Sequence, residues 1–239
     1  MEVTTLLFDY GGTLDTSACH WFYVFQEAYA RICKVPILEE NLRQAYVAGE
    51  RALAKQRIVV STDTFDDMLI KKIGVQTSYL ERELGILTFN SKAEKNDFIV
   101  DIATYCDNFA RQHTQQSAEV LTVLKERYKL LMVSNFYGNL HAVLSNYGLL
   151  NFFDYIVESS VVGVRKPDPA IWQLGVDAAN CDAASCVAIG DSYNKDIVPA
   201  SSVGCKTIWF KGREWENKQF DETLPTHIIT SIKDLLKYL

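Results

Sequence analysis

The chain has 239 residues, 48% of them hydrophobic, and a formal net charge of -6. This apolar content supports a substantial core, either in one large domain or in one domain carrying a smaller second one. The acidic balance and the lack of any block of basic residues argue against nucleic acid as the main partner, but leave a phosphorylated ligand open, because local cations or a metal decide that.

The six cysteines, Cys19, Cys33, Cys106, Cys181, Cys186 and Cys205, form no Cys-x-x-Cys pair, so they read as thiols in a reducing compartment. Met1-Glu2-Val3 leads directly into the first apolar run, with no basic n-region and no small-residue cleavage site, and nothing approaches a transmembrane length. A soluble cytoplasmic protein with no membrane partner is expected.

In chain order, the first predicted element is the strand Thr5-Leu6-Leu7-Phe8, which ends at Asp9 and is followed by Tyr10-Gly11-Gly12-Thr13-Leu14-Asp15. Asp and Gly are ordinary turn residues. In an open α/β sheet, however, ligands bind beyond the carboxyl ends of the strands, which is where Asp9 would stand. Helical periodicity then persists for about a hundred residues. Trp21, Phe22, Phe25, Tyr29 and Ile32 share one stripe, and a second helix runs from Leu38 to about Lys55. A third begins near Asp63, with Thr62 or Asp63 as its cap, and a fourth follows Asn90-Ser91 and runs through Phe109. Together they predict a small antiparallel bundle whose aromatic residues are core.

From Ser117 the pattern alternates. A helix over about Ala118 to Arg127 precedes a buried strand at Tyr128–Val133, which stops at Ser134-Asn135. A helix from Leu140 to Tyr147, a strand at Tyr155–Val157 and a helix from Pro169 to Ala179 follow. Ser185–Ile189 is a strand running into Gly190-Asp191; then come a helix over Lys195–Ser202, a strand over Cys205–Trp209 and a closing helix from Ser231 to Tyr238. Strands alternating with helices predict an α/β fold, a Rossmann-like, doubly wound and mostly parallel sheet. Residues 1–16 and 115–239 would build this core, and residues 17–114 an inserted helical bundle.

Three of these strands end in polar residues: Asp9 with Thr13, Ser134 with Asn135, and Asp191 with Asp196. Arg165-Lys166-Pro167-Asp168 adds a cation just before a helix. Carboxylates, a hydroxyl and a lysine around one crevice are what phosphoryl transfer to an aspartate requires. Asp9 would be the nucleophile, Ser134 would bind phosphoryl oxygens, and Lys166 would hold both the nucleophile and the developing charge. An anionic nucleophile approaching an anionic substrate calls for a divalent cation. Mg²⁺ prefers oxygen ligands, so Asp9, a backbone carbonyl and Asp191 make a suitable set. Taken singly, each of these residues also has an ordinary role, Asp196 most of all, since an Asp in the first turn of a helix is favoured by the dipole alone.

In order and spacing, Phe8-Asp9-Tyr10-Gly11-Gly12-Thr13-Leu14, Val133-Ser134-Asn135, Lys166-Pro167 and Gly190-Asp191-Ser192-x-x-x-Asp196 resemble the motifs of the haloacid dehalogenase (HAD) superfamily. The resemblance covers the whole chain and implies that the helical insert is a C1-type cap closing over a HAD-like core. It implies a Mg²⁺-dependent phosphatase of a small phosphorylated molecule. Asp9, the Gly11 carbonyl and Asp191 would serve the metal with Asp196 behind them, and Thr13, Ser134, Asn135 and Lys166 the substrate.

The pattern breaks at one position. Family phosphatases carry a second aspartate, the general acid and base, two residues after the nucleophile; here that residue is Gly11. The backbone carbonyl remains and the proton donor is gone, and general acid–base catalysis contributes typically ~10²–10⁴-fold. Asp15 and His20 are the nearest surrogates in sequence. Three readings follow: a phosphatase with a weakened acid, a 2-haloacid dehalogenase, whose leaving halide needs no acid, or a HAD-fold binding or regulatory protein. Asp191 speaks against the second, because family dehalogenases use no metal. Arg43, Arg51, Lys55 and Arg57 in the cap are cations that either meet a substrate anion or face solvent. Neither the substrate nor the oligomeric state is specified by these motifs.

Overall fold

The computed structural model describes residues 2–215 and 218–239. Its sheet has six strands, all parallel: β1 (Thr5–Phe8), β2 (Lys129–Ser134), β3 (Tyr155–Glu158), β4 (Cys186–Gly190), β5 (Lys206–Phe210) and β6 (His227–Ile229). They lie in the order β3-β2-β1-β4-β5-β6. That order reverses direction between β1 and β4, which makes the crevice beyond their carboxyl ends the expected binding position of such a sheet. Phe8 pairs with Met132 on one side and Ile189 on the other. The residues that follow, Asp9, Val133-Ser134 and Gly190-Asp191, therefore emerge side by side.

The central strands are buried on both faces, as their continuous apolar runs require. Leu7, Leu131 and Val133 point to one side, where α7 (Ala170–Ala179) covers them with Ile171, Trp172 and Val176. Leu6, Phe8, Leu130 and Met132 point to the other and pack with Val120, Leu121 and Leu124.

Ahead of β2 come α1 (Trp21–Ile32), α2 (Glu39–Lys55), α3 (Phe65–Arg82) and α4 (Lys92–Lys125), which form one helical layer: α1 against α2 and α4, α3 against α2 and α4. The fourth bundle helix and the first core helix, expected to be separate, are a single helix of 34 residues. No Gly or Pro interrupts Lys92–Lys125, and buried residues recur from Ile99 to Leu124, so the chain has no reason to break near residue 115. Ser117 of this helix donates to the Leu14 carbonyl at 2.8 Å, tying it to the loop after β1.

The cap of α3 is Thr64, in a capping box with Asp67, rather than Thr62 or Asp63. Asp63 instead accepts from the Val60 N–H and pairs with Lys71. Four smaller differences lie in the core. β6 is only three residues long and carries a histidine, too little for a pattern to register. A one-turn α6 (Ser159–Val162) follows β3, after α5 (Leu140–Asn146). The helix expected over Lys195–Ser202 starts as a π-helical turn, Tyr193–Ile197, before α8 (Val198–Ser202), and the closing helix is a 3-10 turn leading into α9 (Leu235–Tyr238). No helix among the described residues is long and apolar enough to cross a membrane, and all six cysteines are free thiols.

Two glycines test this packing in opposite directions. A Cβ on Gly175 of α7 would lie 2.8 Å from Val133 Cγ2, whereas one on Gly74 of α3 would meet nothing closer than Ile99 Cδ1 at 4.0 Å. Gly74→Ala should raise unfolding free energy by about 0.5–1 kcal/mol through helix propensity. Gly175→Ala should lower it by about 1 kcal/mol, because overpacking of about 1–3 kcal/mol outweighs the same propensity gain. Urea unfolding of the two variants checks the pair.

Candidate active site

The loop after β1 is wound tightly enough to present its own backbone. The Leu14 N–H reaches the Tyr10 carbonyl at 2.9 Å, and the Thr16 hydroxyl and the Ala18 N–H both donate to the Gly12 carbonyl. Gly12 has φ +99°, and a Cβ there would fall 2.5 Å from the Asp191 carboxylate oxygens. Only glycine lets Asp191 approach. Gly11 is different. A Cβ on it would meet nothing within 4 Å and its φ is not positive, so neither backbone nor space demands a glycine.

Around Asp9 the later elements converge. Its Oδ1 accepts from the Ser134 hydroxyl at 3.0 Å and from Lys166 Nζ at 2.7 Å, which leaves Oδ2 without a donor among the described residues. Lys166 Nζ also reaches Asp196 Oδ1 at 2.7 Å, and Asp196 Oδ2 accepts from the Ser192 N–H at 2.9 Å. Lys166 and Asp196 are fully withdrawn from solvent, and Asp9 nearly so. Burial alone would lower the Lys166 pKa, but the charges of Asp196 and Asp9 outweigh it and the ammonium is held more firmly than usual.

The acids show the opposite imbalance. Burial, with the charges of Asp196 and Asp9, drives the Asp191 pKa far upward, and burial raises Asp196 to about 6 despite Lys166. Ligand oxygens of Asp9, Asp191 and Asp196 lie within 4.8 Å of one another. One ammonium does not balance three crowded carboxylates, two of them buried and that of Asp191 half-buried, and an oxygen-only donor set of this kind suits a hard divalent cation.

The other expected site residues have more specific duties than substrate contact. Thr13 Oγ1 donates to Asp191 Oδ1 at 3.1 Å and accepts from the Asp191 N–H at 3.0 Å, so it orients that carboxylate. The Asn135 amide is spent on Lys166, donating to its carbonyl at 3.0 Å and accepting from its N–H at 2.9 Å. It clamps the lysine's backbone. Asp15 and His20 line the same cavity as Asp9, yet both are committed elsewhere. Asp15 accepts from the Gly12 N–H at 2.7 Å and from the Trp21 indole at 3.0 Å, with burial raising its pKa to about 7. His20 Nδ1 caps α1 by accepting from the Phe22 N–H at 3.2 Å, and burial lowers its pKa to about 4. A neutral imidazole with its acceptor nitrogen in use is a poor proton donor.

The cavity, of about 1060 Å³, is also lined by polar residues that the motif reading did not single out: Glu50, Lys72, Tyr137 and Glu214. Arg51, Lys55 and Arg57 also line it, whereas Arg43 lies over the Trp215 and Phe22 rings. Periodicity contained a signal for two of these residues. Lys72 falls four residues after Met68 on the buried stripe of α3, and Glu50 four after Tyr46 on that of α2, where a charge has no ordinary place. Glu214 Oε1 is buried with no partner among the described residues.

A family model for haloacid dehalogenase-like hydrolases matches residues 3–204. The chain belongs to the haloacid dehalogenase-like hydrolase family. Haloacid dehalogenase-like hydrolase domain-containing protein 3 of Danio rerio is 35% identical over 104 residues, 44% of this chain and 43% of that protein. The match thus spans less than half the length of that relative. Glyceraldehyde 3-phosphate phosphatase of Pyrococcus abyssi is 34% identical over 90 residues, 37% of this chain and 38% of that protein. Pyrimidine 5'-nucleotidase YjjG of Escherichia coli is 28% identical over 125 residues, 52% of this chain and 55% of that protein. The HAD-hydrolase YfnB from Bacillus subtilis, solved bound to magnesium, superposes with a TM-score of 0.62 at 19% identity, covering 100% of this chain and 99% of that one. That likeness is one of fold.

In this haloacid dehalogenase-like hydrolase, His20 sets a pH dependence of stability. Its pKa is about 4 when folded against about 6.5 in an unfolded chain, so between those values the unfolded state binds more protons and stability falls as pH falls. His20→Asn keeps a helix-capping acceptor without a titrating group. Urea unfolding at pH 7 and pH 4 should show the variant losing less stability than the parent, by about 2 kcal/mol.

Proposed function

We propose that the protein is a Mg²⁺-dependent phosphatase of small phosphorylated molecules that works through an aspartyl-phosphate on Asp9 and lacks the usual motif acid. The observation that carries this reading is Asp9 itself, with Oδ1 fixed by Ser134 and Lys166 and Oδ2 left open at the mouth of the β1/β4 crevice. Two relatives whose names denote phosphate-ester hydrolysis support it.

Asp9, Asp191 and the Gly11 carbonyl are the groups that would hold Mg²⁺. Its fit rests on the three crowded carboxylates and on the upward shift of Asp191. Bound there, Mg²⁺ neutralises the acids and the phosphate charge. Thr13 keeps Asp191 aimed, and Asp196 acts through Lys166 and the Ser192 backbone.

Asp9 Oδ2 attacks phosphorus, and the bond from phosphorus to the ester oxygen breaks. Ser134 and Lys166 offer donors to the phosphoryl oxygens as charge develops. At Gly11 no side chain protonates the leaving oxygen, so that oxygen departs as an anion or takes its proton from water. Water then attacks the acyl phosphate, again without a positioned base at Gly11, to release phosphate and restore Asp9.

The alternative, halide displacement from a 2-haloacid, has no use for an Asp191 that Thr13 aims with two hydrogen bonds. Phosphate release from p-nitrophenyl phosphate should require Mg²⁺ and vanish in Asp9→Asn. Metal-independent halide release from a 2-haloacid would overturn the reading, and so would the absence of any turnover. Gly11→Asp has room for its side chain, and it should raise kcat/KM for an alkyl phosphate by about 10²-fold or more.

Metal binding has its own readout. Mg²⁺ at a hundredfold excess over its Kd should add about 2.7 kcal/mol of stability, a rise in Tm of about 5–10 °C for a chain of this size. Differential scanning calorimetry should show that rise in the parent protein and its loss in Asp191→Asn.

A further inference from the structure

If the protein hydrolyses phosphate esters at Asp9, the rest of the cavity lining says what the ester carries. Trp21, Phe25, Tyr46, Phe136, Tyr137 and Trp215 face the same cavity as Asp9. A three-carbon phosphate or a polyol would leave hydroxyls against these rings without partners. A planar ring would stack on them.

Set into the aromatic wall is a polar cluster of one buried residue, Lys72, and two half-buried ones, Glu50 and Tyr137. Lys72, only 5% exposed, pairs with Glu50, and its Nζ lies 3.3 Å from the Tyr137 hydroxyl. That hydroxyl donates to Glu50 Oε2 at 2.5 Å. Lys72 Nζ also lies 5.6, 5.5 and 5.5 Å from the ring centroids of Phe25, Tyr46 and Tyr137. The cluster is not remote from the chemistry. Tyr137 follows Ser134 by three residues, a chain reach of at most about 11 Å.

An ion pair that holds its ammonium out of water adds little stability over apolar packing of the same volume, so the burial of Lys72 in this wall calls for another reason. An ammonium is purely a donor and an ionised carboxylate purely an acceptor. Side by side between aromatic rings, they complement a planar edge on which an acceptor and a donor adjoin. The pairing edge of a nucleobase has that arrangement, with carbonyl beside N–H or ring nitrogen beside amino group. We propose that Lys72, Glu50 and Tyr137 form the subsite for the base of a nucleoside monophosphate whose phosphate lies at Asp9, Ser134 and Lys166.

Hydrolysis of p-nitrophenyl phosphate tests the phosphatase reading independently of this subsite. The subsite is tested by comparing uridine 5'-monophosphate with glycerol 1-phosphate, two alkyl esters on which the missing acid weighs alike. The parent protein should favour the nucleotide in kcat/KM by at least about tenfold, from base stacking and the polar contacts. Lys72→Met should raise KM for the nucleotide about 10- to 100-fold, leaving its kcat and the glycerol phosphate parameters nearly unchanged. Tyr137→Phe, which keeps the ring, should move the same parameter in the same direction by less, and it carries the test if Lys72→Met fails to fold.

Uridine without phosphate should also bind the parent protein by calorimetry and bind Tyr137→Phe more weakly, a result that does not depend on turnover. Equal kcat/KM for the two esters, no binding of uridine, or uridine binding indifferent to Tyr137→Phe would each overturn the proposal.

Discussion

One buried ammonium, shared between two carboxylates, governs how the active edge of this sheet is built. Lys166 sits 2.7 Å from both Asp9 and Asp196, and all three are largely or wholly removed from water. Removing the lysine would leave buried carboxylates uncompensated, which is among the costliest states a protein interior offers. The neighbouring backbone is arranged to keep it in place. Asn135 clamps the Lys166 main chain, Trp172 of α7 lies with its ring centroid 4.6 Å from the ammonium, and Ser192 holds the far oxygen of Asp196.

The sheet order supplies the geometry that makes such crowding possible. Because β1 lies between β2 and β4 in parallel register, Asp9 leaves the sheet within one residue of the level of Ser134 and Asp191 and at adjacent strand spacing. The glycine at position 12 then removes the Cβ that would have kept Asp191 away. Three acids and one lysine remain out of balance, and that imbalance is the physical case for a cation at this edge. To the same cavity the helical layer contributes Trp21, Phe25, Tyr46 and the Lys72–Glu50 pair.

Much of this was legible in the chain, because motifs at strand ends and apolar periodicity are local signals. The alternation of strands and helices specified a parallel sheet, and the positions of Asp9, Ser134, Lys166 and Asp191 along it implied their convergence. What was not legible depends on three-dimensional neighbours. Thr13 and Asn135 look like substrate contacts in a motif, but their hydrogen bonds go to Asp191 and Lys166. The continuity of α4 reflects the absence of a breaker in a sequence whose two halves face different partners. The burial of Lys72 was hidden because a lysine on a helix is ordinarily solvated, and only its place on a buried stripe marks it as unusual.

The proposed mechanism turns on Gly11, where the resemblance read in the sequence departs from the motif. That residue is neither strained nor crowded, so neither space nor backbone demands a glycine there. A nucleophile without a proton donor should feel the basicity of its leaving group directly. The most direct test is the dependence of log kcat/KM on leaving-group pKa across a series of aryl and alkyl phosphates, for the parent protein and for Gly11→Asp. The account predicts a steep decline with leaving-group pKa in the parent and a shallow one in the variant. A shallow slope in the parent would contradict it, and would mean that another carboxyl of the cavity, such as Glu214 with its unpartnered Oε1, already supplies the proton.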